Sequence, residues 1–116
     1  MSKTTLTVLS AGAVKPGLTQ IIDSFRRQTG YGVEITFATA PAISKRIAAG
    51  TIPDVVIAPP GVLDEWRKRR IATLHDPISV GRIGVGVVVR EGAQLPKFVS
   101  VEEFNHALLR CESLVY

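Results

Sequence analysis

The chain has 116 residues, a formal net charge of +4 and 46% apolar residues, a size that allows one domain with a modest core. No stretch reaches the roughly 20 apolar residues needed to cross a bilayer, which excludes a membrane span, and a lone Cys111 excludes an internal disulfide and reads as a small apolar filler. Much of the positive excess lies in one run, Arg67-Lys68-Arg69-Arg70; without interleaved aromatics it reads as a solvated helix end, so nucleic acid is not expected as a partner.

In chain order, the opening Met1-Ser2-Lys3-Thr4-Thr5 has no apolar run long enough for a secretory segment. The sequence therefore reads as cytoplasmic if complete, or as a chain whose export signal has been removed. Leu6-Thr7-Val8-Leu9 is short and apolar, suited to a strand buried in a sheet. Ser10-Ala11-Gly12-Ala13 follows, and then a helical stripe of Val14, Leu18, Ile21, Ile22 and Phe25 that runs to Thr29. Gly30 stands where a left-handed residue closes a helix. A second strand, Val33 to Ala38, leads through Thr39-Ala40 into a short helix from Pro41 to Ala49, with Gly50 as its stop. The third strand, Asp54 to Ala58, is a continuous apolar run after its acid and predicts cover on both faces. Pro59-Pro60-Gly61 then opens a helix carrying Val62, Leu63 and Trp66.

Strand and helix alternate, so the fold class is α/β, a mostly parallel sheet with helices on both faces. In such a sheet the turns after the strands share one edge, where ligands bind and where helix starts present free amides. The candidate ligand-binding residues are Ser10, Ala11, Gly12, Ala13, Thr39, Ala40, Ala58 and Pro59. Small residues there equally suit tight strand-to-helix packing, and the hydroxyls of Ser10 and Thr39 equally suit local turn or cap bonds. Asp54, at the far end of its strand, suits a structural role.

The later part differs. Ile71 to Ser79 reads as a loop, Arg82 to Arg90 as a long strand interrupted by Gly84 and Gly86, and Glu91 to Val99 as a linker. Gly81, Gly84 and Gly86 lie within the strand pattern, which rejects a dinucleotide fingerprint. Ser100-Val101-Glu102-Glu103 is a capping box that opens a helix with Val101, Phe104 and Leu108 on one face and an exposed His106. Ser113-Leu114-Val115-Tyr116 looks like entry into another strand, so the chain reads as unfinished or as pairing its end with a second copy. No nucleophile, acid/base pair or metal-ligand spacing stands out, so neither an enzyme nor a cofactor is expected.

Three stretches carry a family resemblance: Leu6 to Ala13, Val33 to Gly50, and Pro53-Asp54-Val55-Val56-Ile57-Ala58-Pro59. They resemble molybdate-type periplasmic solute-binding proteins, the substrate-binding components of ABC importers with a type II periplasmic-binding fold. The resemblance implies a two-lobed clamp for a small oxyanion, a periplasmic location and an ABC permease as partner. It implies lobe one at residues 1–85, a crossing strand end and linker at 86–99, and the start of an incomplete second lobe at 100–116. It also implies a serine hydroxyl at the start of each of the first two helices, where this chain has Ala13 and Ala40. A different small anion or small organic ligand fits the edge equally. The rival reading is a cytoplasmic sensing or interaction module of the same fold, self-associating through its C-terminal segment.

Overall fold

A computed structural model describes residues 4–116. The first strand, β1 (Thr5–Ala11), passes through a single 3-10 turn at Gly12–Val14 into α1 (Lys15–Thr29). There follow β2 (Gly32–Ala38), α2 (Ala40–Ala48), β3 (Val55–Ile57) and α3 (Pro60–Lys68); α4 (Val101–Arg110) comes much later. The three strands form one parallel sheet in the order β2-β1-β3. This is the α/β class that the alternating pattern predicts.

Because successive side chains of a strand point to opposite faces, the register assigns each helix to a side. Leu9 pairs with Thr36 and Val56, and Ala11 with Ala38. On that face Leu9 joins Ile43 of α2 and Trp66 of α3 in the main core, with Ala11, Ala38, Val56 and Ala58 packed around them. The opposite face carries Val33, Ile35 and Phe37, and Lys15 at the start of α1 lies over the Phe37 ring. Both faces are therefore covered. Ile43 and Trp66 are 0% and 1% exposed, and the Trp66 indole N–H donates to the Ser44 hydroxyl at 3.1 Å.

The helix stops follow local chemistry. Gly30 closes α1 at φ 75° and its N–H donates to the Arg26 carbonyl. At the end of α2, Thr51 N–H reaches the Arg46 carbonyl and Gly50 N–H the Ile47 carbonyl, both at 3.0 Å. The end of α3 repeats that pair of bonds, from Ile71 to Trp66 and from Arg70 to Arg67. Both are Schellman closures, which require a left-handed residue after the last turn. Gly50 supplies it at φ 96°, but Arg70 does so at φ 53° with a side chain.

Four expectations are corrected. Arg82 to Arg90 forms no strand among the described residues, because its backbone groups have no ladder partner there and an unpaired strand has nothing to hold it. Ser113 to Tyr116 likewise forms none. The third strand is covered only in part: Val56 packs against the main core, whereas Val55, which points to the other face, is exposed. Cys111 is exposed rather than a core filler, its thiol donating to the Leu108 carbonyl at the end of α4.

The described residues through Ile83 make one compact unit and Gly84–Tyr116 a second. In the second, Ser100 accepts the Glu103 N–H at 3.2 Å, while the Glu103 carboxylate reaches back to the Val99 N–H at 2.7 Å. The expected capping box is thus present, with its return bond one residue earlier than the usual form. Phe98 meets Phe104 edge-on with ring centroids 5.0 Å apart, fixing the entry into α4. His106 is exposed.

Candidate functional site at the strand-to-helix edge

Strand register brings the three turns together. Ala11 and Ala38 are partners in the last rung of the β1–β2 ladder, and Ser10 and Ile57 in the last rung of β1–β3. Neighbouring strands lie about 4.8 Å apart, so Ala11 to Ala13, Thr39-Ala40 and Ala58-Pro59 share one edge. All eight predicted site residues lie on that edge or immediately beneath it.

Their capacities differ. Ser10 is 0% exposed and its hydroxyl donates to the Ala11 carbonyl at 3.0 Å, so its proton is used within the turn. Thr39 is exposed, and its oxygen caps α2 by accepting the Ala42 N–H at 3.4 Å. Its own O–H remains free to donate outward. A helix leaves its first four N–H groups without intrahelical partners. In α2, Pro41 has none, the Ala42 N–H goes to Thr39 Oγ1 and the Ile43 N–H to the Thr39 carbonyl, which leaves Ala40. In α3, Pro60 has none and the N–H groups of Val62 and Leu63 both turn to the Pro59 carbonyl, which leaves Gly61. At the first turn, Gly12 and Ala13 are exposed, and a Cβ added at Gly12 would meet nothing within 4 Å. That space is open to an incoming group.

Lys15 belongs to the same edge, and sequence reading missed it. Its ammonium lies 5.3 Å from the centroid of the Phe37 ring, a cation–π contact that holds the charge at the end of β2. A lysine one residue before a helix-opening proline carries no motif; only the register of Phe37 beside Ser10 reveals the placement. The edge therefore offers amide donors, one hydroxyl and one cation, which is a donor set for an anion.

Asp54 stands apart from this set. It precedes β3, and its carboxylate accepts the Thr7 N–H at 2.7 Å and the Thr7 hydroxyl at 2.8 Å. Those bonds hold its carboxyl below the ordinary range, the Thr7 backbone donor first and its hydroxyl second. Among the described residues no group of three or more His, Cys, Asp or Glu side chains is placed to hold a metal ion, and no helix is long and apolar enough to cross a membrane.

A family model described as "Bacterial extracellular solute-binding protein" matches residues 6–113. Among curated proteins, the chain is similar to an aconitate isomerase of Pseudomonas sp, 27% identical over 118 aligned positions, covering 97% of this chain and 45% of that protein. The chain thus spans less than half the length of that relative. With the family model running from β1 to the residues just beyond α4, the chain belongs to the bacterial extracellular solute-binding proteins.

Proposed function

We propose that this chain is a ligand-holding part of a solute-binding protein, and that the turn edge grips a small anion. The observation that carries the reading is that the exposed turn at Gly12-Ala13, the unclaimed amides of Ala40 and Gly61 and the Lys15 ammonium share one sheet edge. Binding, not turnover, is the proposed role, with the bound solute delivered in the periplasm to an ABC permease. Two anion classes compete. The resemblance to molybdate-type proteins favours a tetrahedral oxyanion, whereas the name of the aconitate isomerase relative favours a carboxylate. Alanine at positions 13 and 40 removes the two hydroxyls that the tetrahedral reading wants. Hydrogen bonds to charged groups contribute about 1.5–3 kcal/mol each, so the carboxylate is the better fit.

The relative's name also supports a second reading, in which the parent protein isomerises its ligand and this edge supplies the anion grip of an active site. A thermal-shift series with molybdate, sulfate, phosphate, citrate and cis- and trans-aconitate separates these readings, since a ligand of the folded state raises the melting temperature by mass action. A rise with the carboxylates alone supports the proposal, and one with molybdate alone returns the ligand to the tetrahedral class. Conversion of cis- to trans-aconitate by the chain establishes the second reading. Absence of a shift with every anion overturns the anion site and favours the self-associating module.

A further inference from the structure

With the strand order β2-β1-β3, one free edge of the sheet runs along β2, and a side chain of α1 reaches it. The Gly32 N–H donates to the Thr4 carbonyl at 2.9 Å. The N–H and C=O of a strand residue turn to the same side, and successive residues alternate. Gly32, Glu34 and Thr36 therefore turn to β1, while Val33, Ile35 and Phe37 turn their backbone groups outward. Among the described residues only one group of that outward set has a hydrogen-bond partner. It is the Val33 carbonyl, which accepts from the Arg26 guanidinium.

The unpaired groups of an edge strand are a template for another chain, and short strands, prolines and charges are the usual defences. The β3 edge is three residues long and follows Pro53 by two positions. By contrast β2 has seven residues, no proline and a single charge, Glu34. The helix dipole accounts for Arg26 and Arg27 in the last turn of α1, but not for a guanidinium laid against a strand carbonyl. Asp23 steadies that guanidinium from the helix side at 3.5 Å.

The strand best matched to this edge is β2 of a second copy. Antiparallel pairing about Ile35 sets Val33 opposite Phe37 and Glu34 opposite Thr36, so no like charges face each other. The outward residues then form the hydrogen-bonded pairs, each exchanging N–H and C=O. The Phe37 N–H of the second copy needs the Val33 carbonyl, which Arg26 already holds.

We propose that Arg26 guards the β2 edge, its guanidinium occupying the Val33 carbonyl and so keeping the sheet from pairing with β2 of a second copy. The contact is an autoinhibitory one, made within the chain against self-association.

Sedimentation velocity over a concentration series tests this on the 116-residue chain and on Arg26→Met, which keeps the stem and loses the donors. The Arg26 side chain is 45% exposed; circular dichroism and Trp66 emission check the fold, and Arg26→Gln replaces an unfolded Arg26→Met. Expected is dimerisation of the variant at concentrations roughly tenfold or more below any self-association of the wild type. Adding Thr36→Glu, at an exposed side chain, sets a second carboxylate opposite Glu34 and should reverse the dimerisation. In dilute wild type the Ile35 and Phe37 amides should exchange with solvent much faster than those of Glu34 and Thr36. Association no stronger than the wild type's, association that Thr36→Glu leaves intact, or slow exchange at Ile35 would each overturn the proposal. Loss of the fold in both Arg26 variants would overturn it too, leaving Arg26 a tether between α1 and β2. None of these outcomes depends on the anion site, which the thermal-shift series reads separately.

Discussion

Asp54 and Thr7 are 47 residues apart in sequence, yet four hydrogen bonds join them: two into the Asp54 carboxylate, and the Asp54 N–H shared between the Thr7 carbonyl at 3.0 Å and the Thr7 hydroxyl at 3.1 Å. This clip fastens the start of β3 to the middle of β1. Its carboxyl is held below the ordinary range in the fold, so its contribution is complete above the unfolded value of about 4 and disappears as pH falls below it. Urea melts of the wild type and of Asp54→Asn at pH 6 and pH 3 should show the variant less stable at pH 6. The gap should narrow at pH 3. A gap independent of pH removes the carboxylate from the account.

Arg70 holds a left-handed backbone with a side chain where its counterpart after α2 is Gly50. The left-handed conformation costs a residue with a Cβ about 1–2 kcal/mol, and glycine escapes that cost. Arg70→Gly should raise the urea midpoint by an amount corresponding to about 1 kcal/mol, whereas Arg70→Val should lower it. Unchanged or reduced stability in Arg70→Gly refutes the strain.

The Ser44–Trp66 hydrogen bond gives the core an optical reporter, since Trp66 is the chain's one tryptophan. Ser44→Ala leaves the indole N–H without its partner and should cost about 1–3 kcal/mol. Ile43→Ala opens a cavity beside it and should cost about 2–5 kcal/mol, a large share of a small domain's stability. Tryptophan emission during denaturant unfolding measures both.

At the turn edge, Gly12→Trp fills the open space above the first turn. It should abolish anion binding while the melting temperature of the free protein changes little, because nothing packs within 4 Å of a Cβ there. Unchanged affinity takes the turn out of the site.

Lys15→Met removes the ammonium over Phe37 but keeps an unbranched chain against the ring. Anion affinity should fall roughly tenfold, the effect of one charge-assisted contact, and lose part of its salt dependence. Calorimetric titration with citrate reads both effects.

Where local pattern and pairing agree, the fold was legible. The stripe from Val14 to Phe25, the left-handed Gly30 and the capping box at Ser100 each state their structure within a few residues. Arg82 to Arg90 has the composition of a strand, but a strand is made by its neighbour, and composition does not say whether one is there. The same limit applied at the edge. Small residues announced the turns, but the buried hydroxyl of Ser10, the capping duty of Thr39 and the placement of Lys15 depend on which way side chains turn. Registers between segments decide that, and no single segment contains them. Arg70 shows the reverse limit, since no propensity scale expects arginine where the geometry wants glycine.

The middle strand of the sheet is the first one in the chain. Its ladder with β3 joins Val8 to Val55 and Ser10 to Ile57, so β1 keeps one flank unpaired until a segment nearly fifty residues downstream has been synthesised. At typical elongation rates of about 5–20 residues per second, an apolar strand stays half-paired for seconds on the ribosome. The unit's weakest moment therefore falls during birth, and substitutions that make β1 stickier should reduce the yield of soluble protein even where they leave the finished fold more stable.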